Sequence, residues 1–177
     1  MKALVVYESM FGNTRRVAEE IARGIGDAAE VVLCDVDEAP AAPDPDLDLL
    51  VVGGPTHAFS MSRRSTREDA RDRGPHVEGG ETGIREWLGG LPRGRHTGTV
   101  AAFDTRVEKV RRLPGSAAKA AARVLRRSGY AEAAAPESFY VLDIDGPLAP
   151  GELARAHGFG ARLGAAARSR VDRSASP

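Results

Sequence analysis

An apolar run, Ala3-Leu4-Val5-Val6-Tyr7, leads at once into a polar turn, Glu8-Ser9-Met10-Phe11-Gly12-Asn13-Thr14. An amphipathic stretch follows, beginning Arg15-Arg16-Val17-Ala18-Glu19-Glu20-Ile21-Ala22. The pattern reads as strand, tight turn and helix. The turn aims hydroxyls and backbone N–H groups at one point beside the positive end of a helix, and such a point binds phosphate. A phosphorylated small molecule is the expected ligand.

The same alternation continues along the chain. Helix 1 is expected over about 14–25, closed by Gly24 and Gly26, and strand 2 over 30–34. An acidic, Pro-rich connector at 35–46 reads as solvated loop. Strand 3 is Leu47–Val52, a near-continuous aliphatic run that implies burial on both faces, stopped by Gly53-Gly54-Pro55-Thr56. Residues 60–80 are polar and rich in Arg and Asp, with room for one short helix. A helix over 82–88 turns Trp87 inward. Strand 4 is 99–103, helix 4 is 115–127, strand 5 is 138–142 and the last helix is 150–168. A single domain over residues 1–168 is expected, with a disordered tail at 169–177. Strands alternating with helices imply a parallel sheet covered on both faces, joined by right-handed crossovers. Ligands in such sheets bind beyond the carboxyl ends of the strands. Loops 8–14, 53–60 and 104–109 all meet that rule and converge on one rim.

Charge narrows the partners. The chain is neutral overall, but residues 1–59 carry a net −7, residues 60–127 a net +8 and the remainder −1. The positive field belongs to the middle segment. No apolar run approaches the ~18 residues of a membrane span. The opening Met1-Lys2-Ala3 has no secretory signature, so no membrane partner and a cytoplasmic location are expected. The single cysteine, Cys34, excludes an internal disulfide and a cysteine-based zinc site, and reads as a small hydrophobe ending strand 2. His76, His96 and His157 lack ligand spacing, so no metal site is expected. Basic residues have no interleaved aromatics, which argues against nucleic acid.

The chain resembles the flavodoxin family over roughly residues 2–168. Ser9-Met10-Phe11-Gly12-Asn13-Thr14 matches the family's phosphate loop, and Gly54-Pro55-Thr56-His57 matches the loop after strand 3. Phe103-Asp104-Thr105-Arg106 stands where the family's loop after strand 4 begins with Phe. The resemblance implies a three-layer α/β sandwich on a five-stranded parallel sheet of order 2-1-3-4-5. It implies FMN as cofactor. Ser9, Met10, Phe11, Gly12, Asn13 and Thr14 would hold the phosphate; Pro55, Thr56, His57, Ala58, Phe59, Phe103, Asp104, Thr105 and Arg106 would flank the ring. No catalytic residue is implied.

Two departures bear on chemistry. The second loop offers His57 and Phe59 in place of Trp, and the third offers no aromatic after Phe103, leaving the Arg106 guanidinium as a stacking group. Weaker FMN binding than in typical flavodoxins is therefore expected. The second loop also continues into Arg63, Arg64 and Arg67. If one lies near the ring, it stabilises the reduced anion and raises the flavin potential. The implied functions are electron transfer to a redox partner protein, or reduction of a small acceptor such as a quinone with a nicotinamide donor. A flavodoxin-fold scaffold that has lost FMN is the alternative. A third reading leaves arginines 63–73 as a solvated, salt-bridged helix face.

Overall fold

The computed structural model describes residues 1–72 and 81–175. Arg73 and His76, singled out above, lie outside them. Among the described residues seven strands form one sheet: β1 (Lys2–Tyr7), β2 (Glu30–Asp35), β3 (Leu49–His57), β4 (Ser60–Met61), β5 (Thr99–Val107), β6 (Ala131–Glu132) and β7 (Glu137–Val141). Five α-helices among the described residues accompany them: α1 (Asn13–Gly26), α2 (Arg64–Arg71), α3 (Ile84–Gly89), α4 (Ala117–Arg127) and α5 (Glu152–Ala175).

The parallel order runs β2-β1-β3-β5, and both β6 and β7 pair with β5 on its far side. Five sheet positions in the order 2-1-3-4-5 are therefore present, with two differences of detail. The fifth position is split into β6 and β7, because the chain leaves the ladder after the Ala133 N–H, which donates to the Val100 carbonyl, and Pro136 has no N–H to donate. The seventh strand, β4, is a two-residue antiparallel return on β3. Among the described residues no helix is long and apolar enough to cross a membrane.

Period-two alternation distributes the aliphatic runs. Leu4, Val6, Leu50, Val52, Val100 and Ala102 face α3 and α4, whereas Ala3, Val5, Leu49, Val51, Ala101 and Phe103 face α1 and α5. Both faces are apolar because both are covered. Trp87 is buried on the first side, and its indole N–H donates to the Pro40 carbonyl. Phe159 is in the second cluster, edge-on to Phe139.

Three boundaries differ from the sequence reading. Strand β3 does not stop at Gly53: Gly53, Gly54 and Pro55 continue the ladder opposite Phe103, Asp104 and Thr105. A Cβ at Gly53 would overlap the Phe103 ring, so glycine is there for packing and does not end the strand. Helix α1 runs through Gly24, where a Cβ would stand 2.2 Å from the His157 carbonyl oxygen of α5. That glycine lets two backbones meet. Helix α5 continues past Arg168 to Ala175, through residues expected to form a disordered tail. Ala167 is buried against the core, and Arg168 donates to the Ala28 carbonyl, so the helix is anchored just before these turns.

Candidate functional site

The turn after β1 is built around Gly12, which caps α1 in the left-handed conformation (φ 75°). A Cβ there would meet open space, so backbone conformation, not crowding, calls for glycine. The Arg16 N–H closes the first helical bond onto the Gly12 carbonyl, and the Arg15 N–H is accepted by the Ser9 hydroxyl. By helix geometry the preceding N–H groups, of Asn13 and Thr14, have no intrahelical acceptor. No acidic side chain stands in the first turn of α1, whereas Arg15 and Arg16 do. Cations at a helix N-terminus oppose the dipole, so this end carries positive potential awaiting an anion.

Side chains of the turn fasten it to its neighbours. The Thr14 and Thr105 hydroxyls are 2.7 Å apart in a buried bond that joins α1 to the end of β5. The Asn13 amide donates to the Asp145 carbonyl at 2.9 Å, holding the loop after β7 against the turn. Glu8, directly before the turn, is buried; its carboxylate accepts from the Ser62 hydroxyl (2.6 Å) and the Ile84 N–H (2.9 Å). Burial pushes the Glu8 carboxyl above its usual range, against the Ser62 and Ile84 hydrogen bonds and the Arg67 charge, which pull it down.

A cavity of about 300 Å³ opens beyond the strand ends. Of the residues named from sequence, Met10, Phe11, Asn13, Thr14, Pro55, Thr56, His57, Ala58, Thr105 and Arg106 line it. The other five are elsewhere. Ser9 is buried beneath the turn as a cap for Arg15, and Gly12 shapes the backbone. Phe103 is wholly buried in the core, edge-on to Phe139, because strand alternation turns it away from the rim. Asp104 is also buried and accepts from the Ala118 N–H at the start of α4. Phe59 is half-exposed beside Gly115. Thr56 has a double duty, since its hydroxyl also accepts from the Ala117 N–H.

Ala58 and Phe59 link β3 to β4 with positive φ values of 45° and 64°. Two-residue hairpins require this conformation, which Asn-Gly satisfies cheaply and Ala-Phe does not. Arg85 holds the strained return by donating to the Met61 and Ser62 carbonyls.

The cavity also uses residues that the motifs do not mark. Thr66, Asp69 and Ala70 form one face of α2; Val107 ends β5, Val141 ends β7 and Ile144 follows it. The spacing 66, 69, 70 is helical and was readable, as was the rim position after β7. Arg63, Arg64 and Arg67 do not line the cavity. Arg64 pairs with Glu68 in solvent, and Arg67 is buried against Ser62, Glu86 and the Glu81 carbonyl. Of this segment it is Thr66, Asp69 and Ala70 that face the cavity. Cys34 is half-buried, and its thiol is pushed up by burial and by Glu38 and Asp35.

Residues 5–74 match the family model described as Flavodoxin. No curated protein matches by sequence. Among solved structures, a flavodoxin from the domain Archaea superposes with a TM-score of 0.61 at 21% identity, covering 95% of this chain and 99% of that one. Oxidised flavodoxin 1 from Bacillus cereus gives 0.62 at 16% identity, with 92% and 97% covered. A WrbA-like flavodoxin from Agrobacterium tumefaciens gives 0.58 at 17%, with 96% and 98% covered. Together they assign the fold.

Proposed function

We propose that this member of the flavodoxin family binds FMN in the cavity at the strand carboxyl ends and serves as a redox protein. The carrying observation is that one cavity joins the N-terminus of α1 to the ends of β3, β5 and β7. The residues present fit such a group. A dianionic phosphate would find the free N–H groups of α1 and the Thr14 hydroxyl, with no lysine required. A flat apolar ring would find Pro55, Ala58, Val107, Val141 and Ile144, with His57 and Arg106 as polar neighbours.

Bound FMN supplies one- and two-electron chemistry. The chain's own residues bind, orient and screen. Asn13 acts through the backbone of the 143–147 loop, which it holds in place. The Thr14–Thr105 bond keeps the first turn of α1 against β5. The strained Ala58-Phe59 turn brings main chain to the cavity wall. Phe59, Leu113 and Ile144 are exposed apolar side chains on loops around this rim, suited to a protein or organic acceptor meeting an open edge.

The test is a titration of the purified protein with FMN, followed by flavin fluorescence, beside Thr14→Val. Saturable quenching at micromolar affinity or tighter, weakened in the variant, supports the reading. Folded protein that quenches nothing overturns it in favour of a scaffold without cofactor. Oxidation of a nicotinamide donor in the presence of a quinone then separates a reductase from an electron carrier.

A further inference from the structure

Arg106 is a buried cation whose surroundings do not neutralise it. It leaves β5 at the cavity wall and is 5% exposed. Its Nη2 donates to the carbonyls of Val110 (2.7 Å) and Leu113 (3.3 Å), and its Nε is buried with no partner. Among the described residues it forms no ion pair. A guanidinium removed from water without a carboxylate is costly, and buried charges are ordinarily paired.

Two acidic side chains bear on the same region, and neither cancels the charge. Asp104 stands two residues back on the same face of β5, roughly 7 Å along the strand. Its Oδ2 is committed to the Ala118 N–H at the start of α4, and its Oδ1 has no partner. Asp69 of α2 lines the cavity but is exposed, so water screens it. The Asp104 carboxylate is stabilised by a helix N-terminus, whereas Arg106 has only neutral carbonyls.

We propose that Arg106 is the counter-cation for negative charge on the occupant's ring, so that the site favours reduced, anionic flavin over oxidised flavin. The proposal rests on the FMN reading above. Two electrons from a reductant and one proton from water convert the neutral ring to an anion carrying one negative charge. A fixed positive charge several ångströms away in a partly wet cavity favours that anion by about tenfold or more. The effect that the sequence suggests for Arg63, Arg64 or Arg67 thus falls to Arg106. Its role is electrostatic positioning of the equilibrium, with no proton or bond transferred to it.

The experiment compares wild type, Arg106→Gln and Arg106→Lys. Fluorescence quenching gives the affinity for oxidised FMN. A spectroelectrochemical titration with dithionite gives the midpoint potential of bound flavin, and the thermodynamic cycle closes to the affinity for reduced flavin. Wild type is expected to hold reduced FMN at least as tightly as oxidised FMN, with a midpoint at or above that of free FMN. Arg106→Gln is expected to lose about tenfold of that preference, about 30 mV for a two-electron couple. Arg106→Lys keeps most of it. A glutamine variant with the wild-type potential overturns the proposal and leaves Arg106 as a brace for the 108–114 loop, since a brace would weaken both redox states equally. If Arg106→Gln does not fold, the wild-type midpoint decides alone, and a value below free FMN overturns the proposal. Wild type that binds no FMN ends the FMN reading and this one with it, a result distinct from bound flavin with an unshifted potential.

Discussion

Two arginines are equally buried, but only Arg106 lines the cavity, and their surroundings differ in kind. Arg67, on α2, is 5% exposed and reaches Ser62, the Glu86 carboxylate and the Glu81 carbonyl, in a cluster that also contains buried Glu8. Arg106, at the end of β5, is equally buried, has two carbonyls and leaves its Nε orphaned. The first neighbourhood is complete without a ligand and ties α2 and α3 to the end of β1. The second is incomplete and opens onto the cavity. Burial alone does not separate a structural charge from a functional one; satisfaction of its polar atoms does.

The comparison can be broken first at its structural side. Arg67→Gln is expected to cost about 3 kcal/mol, because it removes a buried cation that donates to the Ser62 hydroxyl, the Glu86 carboxylate and the Glu81 carbonyl; urea denaturation without cofactor measures it. A loss no larger than that of a surface substitution would show the cluster to be dispensable. Next in size, Thr14→Val is expected to weaken FMN binding by about tenfold or more, since a donor to a charged phosphate is removed and the buried Thr105 hydroxyl is left unpaired. Flavin fluorescence reads the affinity, and circular dichroism checks the fold. Arg106→Gln is expected to cost at most about 1 kcal/mol without cofactor, because the Val110 and Leu113 carbonyls lie in a loop that water can reach. A cost equal to that of Arg67→Gln would erase the contrast between the two sites.

The smallest effect is a slope with pH. The Glu8 carboxyl is raised in the folded state above its ordinary value of 4.5, chiefly by burial. The folded chain therefore holds a proton that the unfolded chain has released, so stability from this group falls as pH rises from about 4.5 through the raised value. Glu8→Gln is expected to flatten that fall in denaturation curves taken across the range. An unchanged slope would mean that Arg67 and the two hydrogen bonds fully compensate the burial.

Much of the fold was legible because its signals are local. Apolar runs at 3–7 and 47–52 mark strands covered on both faces, and the Gly12-Asn13-Thr14 turn marks the start of α1. The glycines were misread for a physical reason. A sequence shows glycine as a breaker, but Gly24 and Gly53 serve contacts with His157 and Phe103, residues distant in the chain. The tail was misread likewise: residues 169–175 extend a helix already anchored by Ala167 and Arg168.

The site was legible in outline and not in detail. Spacing placed the 8–14, 53–60 and 104–109 loops on one rim, since parallel strands bring their carboxyl ends together whatever the side chains. Spacing could not say that Phe103 turns into the core, that Asp104 and Thr56 cap α4, or that the arginines after residue 62 look away from the cavity. By itself, the sequence determined the alternation of elements, the phosphate-type turn and the edge of the sheet where a ligand binds, because those depend on neighbours within a few residues. The tertiary structure alone decided which charges are paired and which face the cavity, because pairing of a buried charge depends on groups brought together from distant strands and helices.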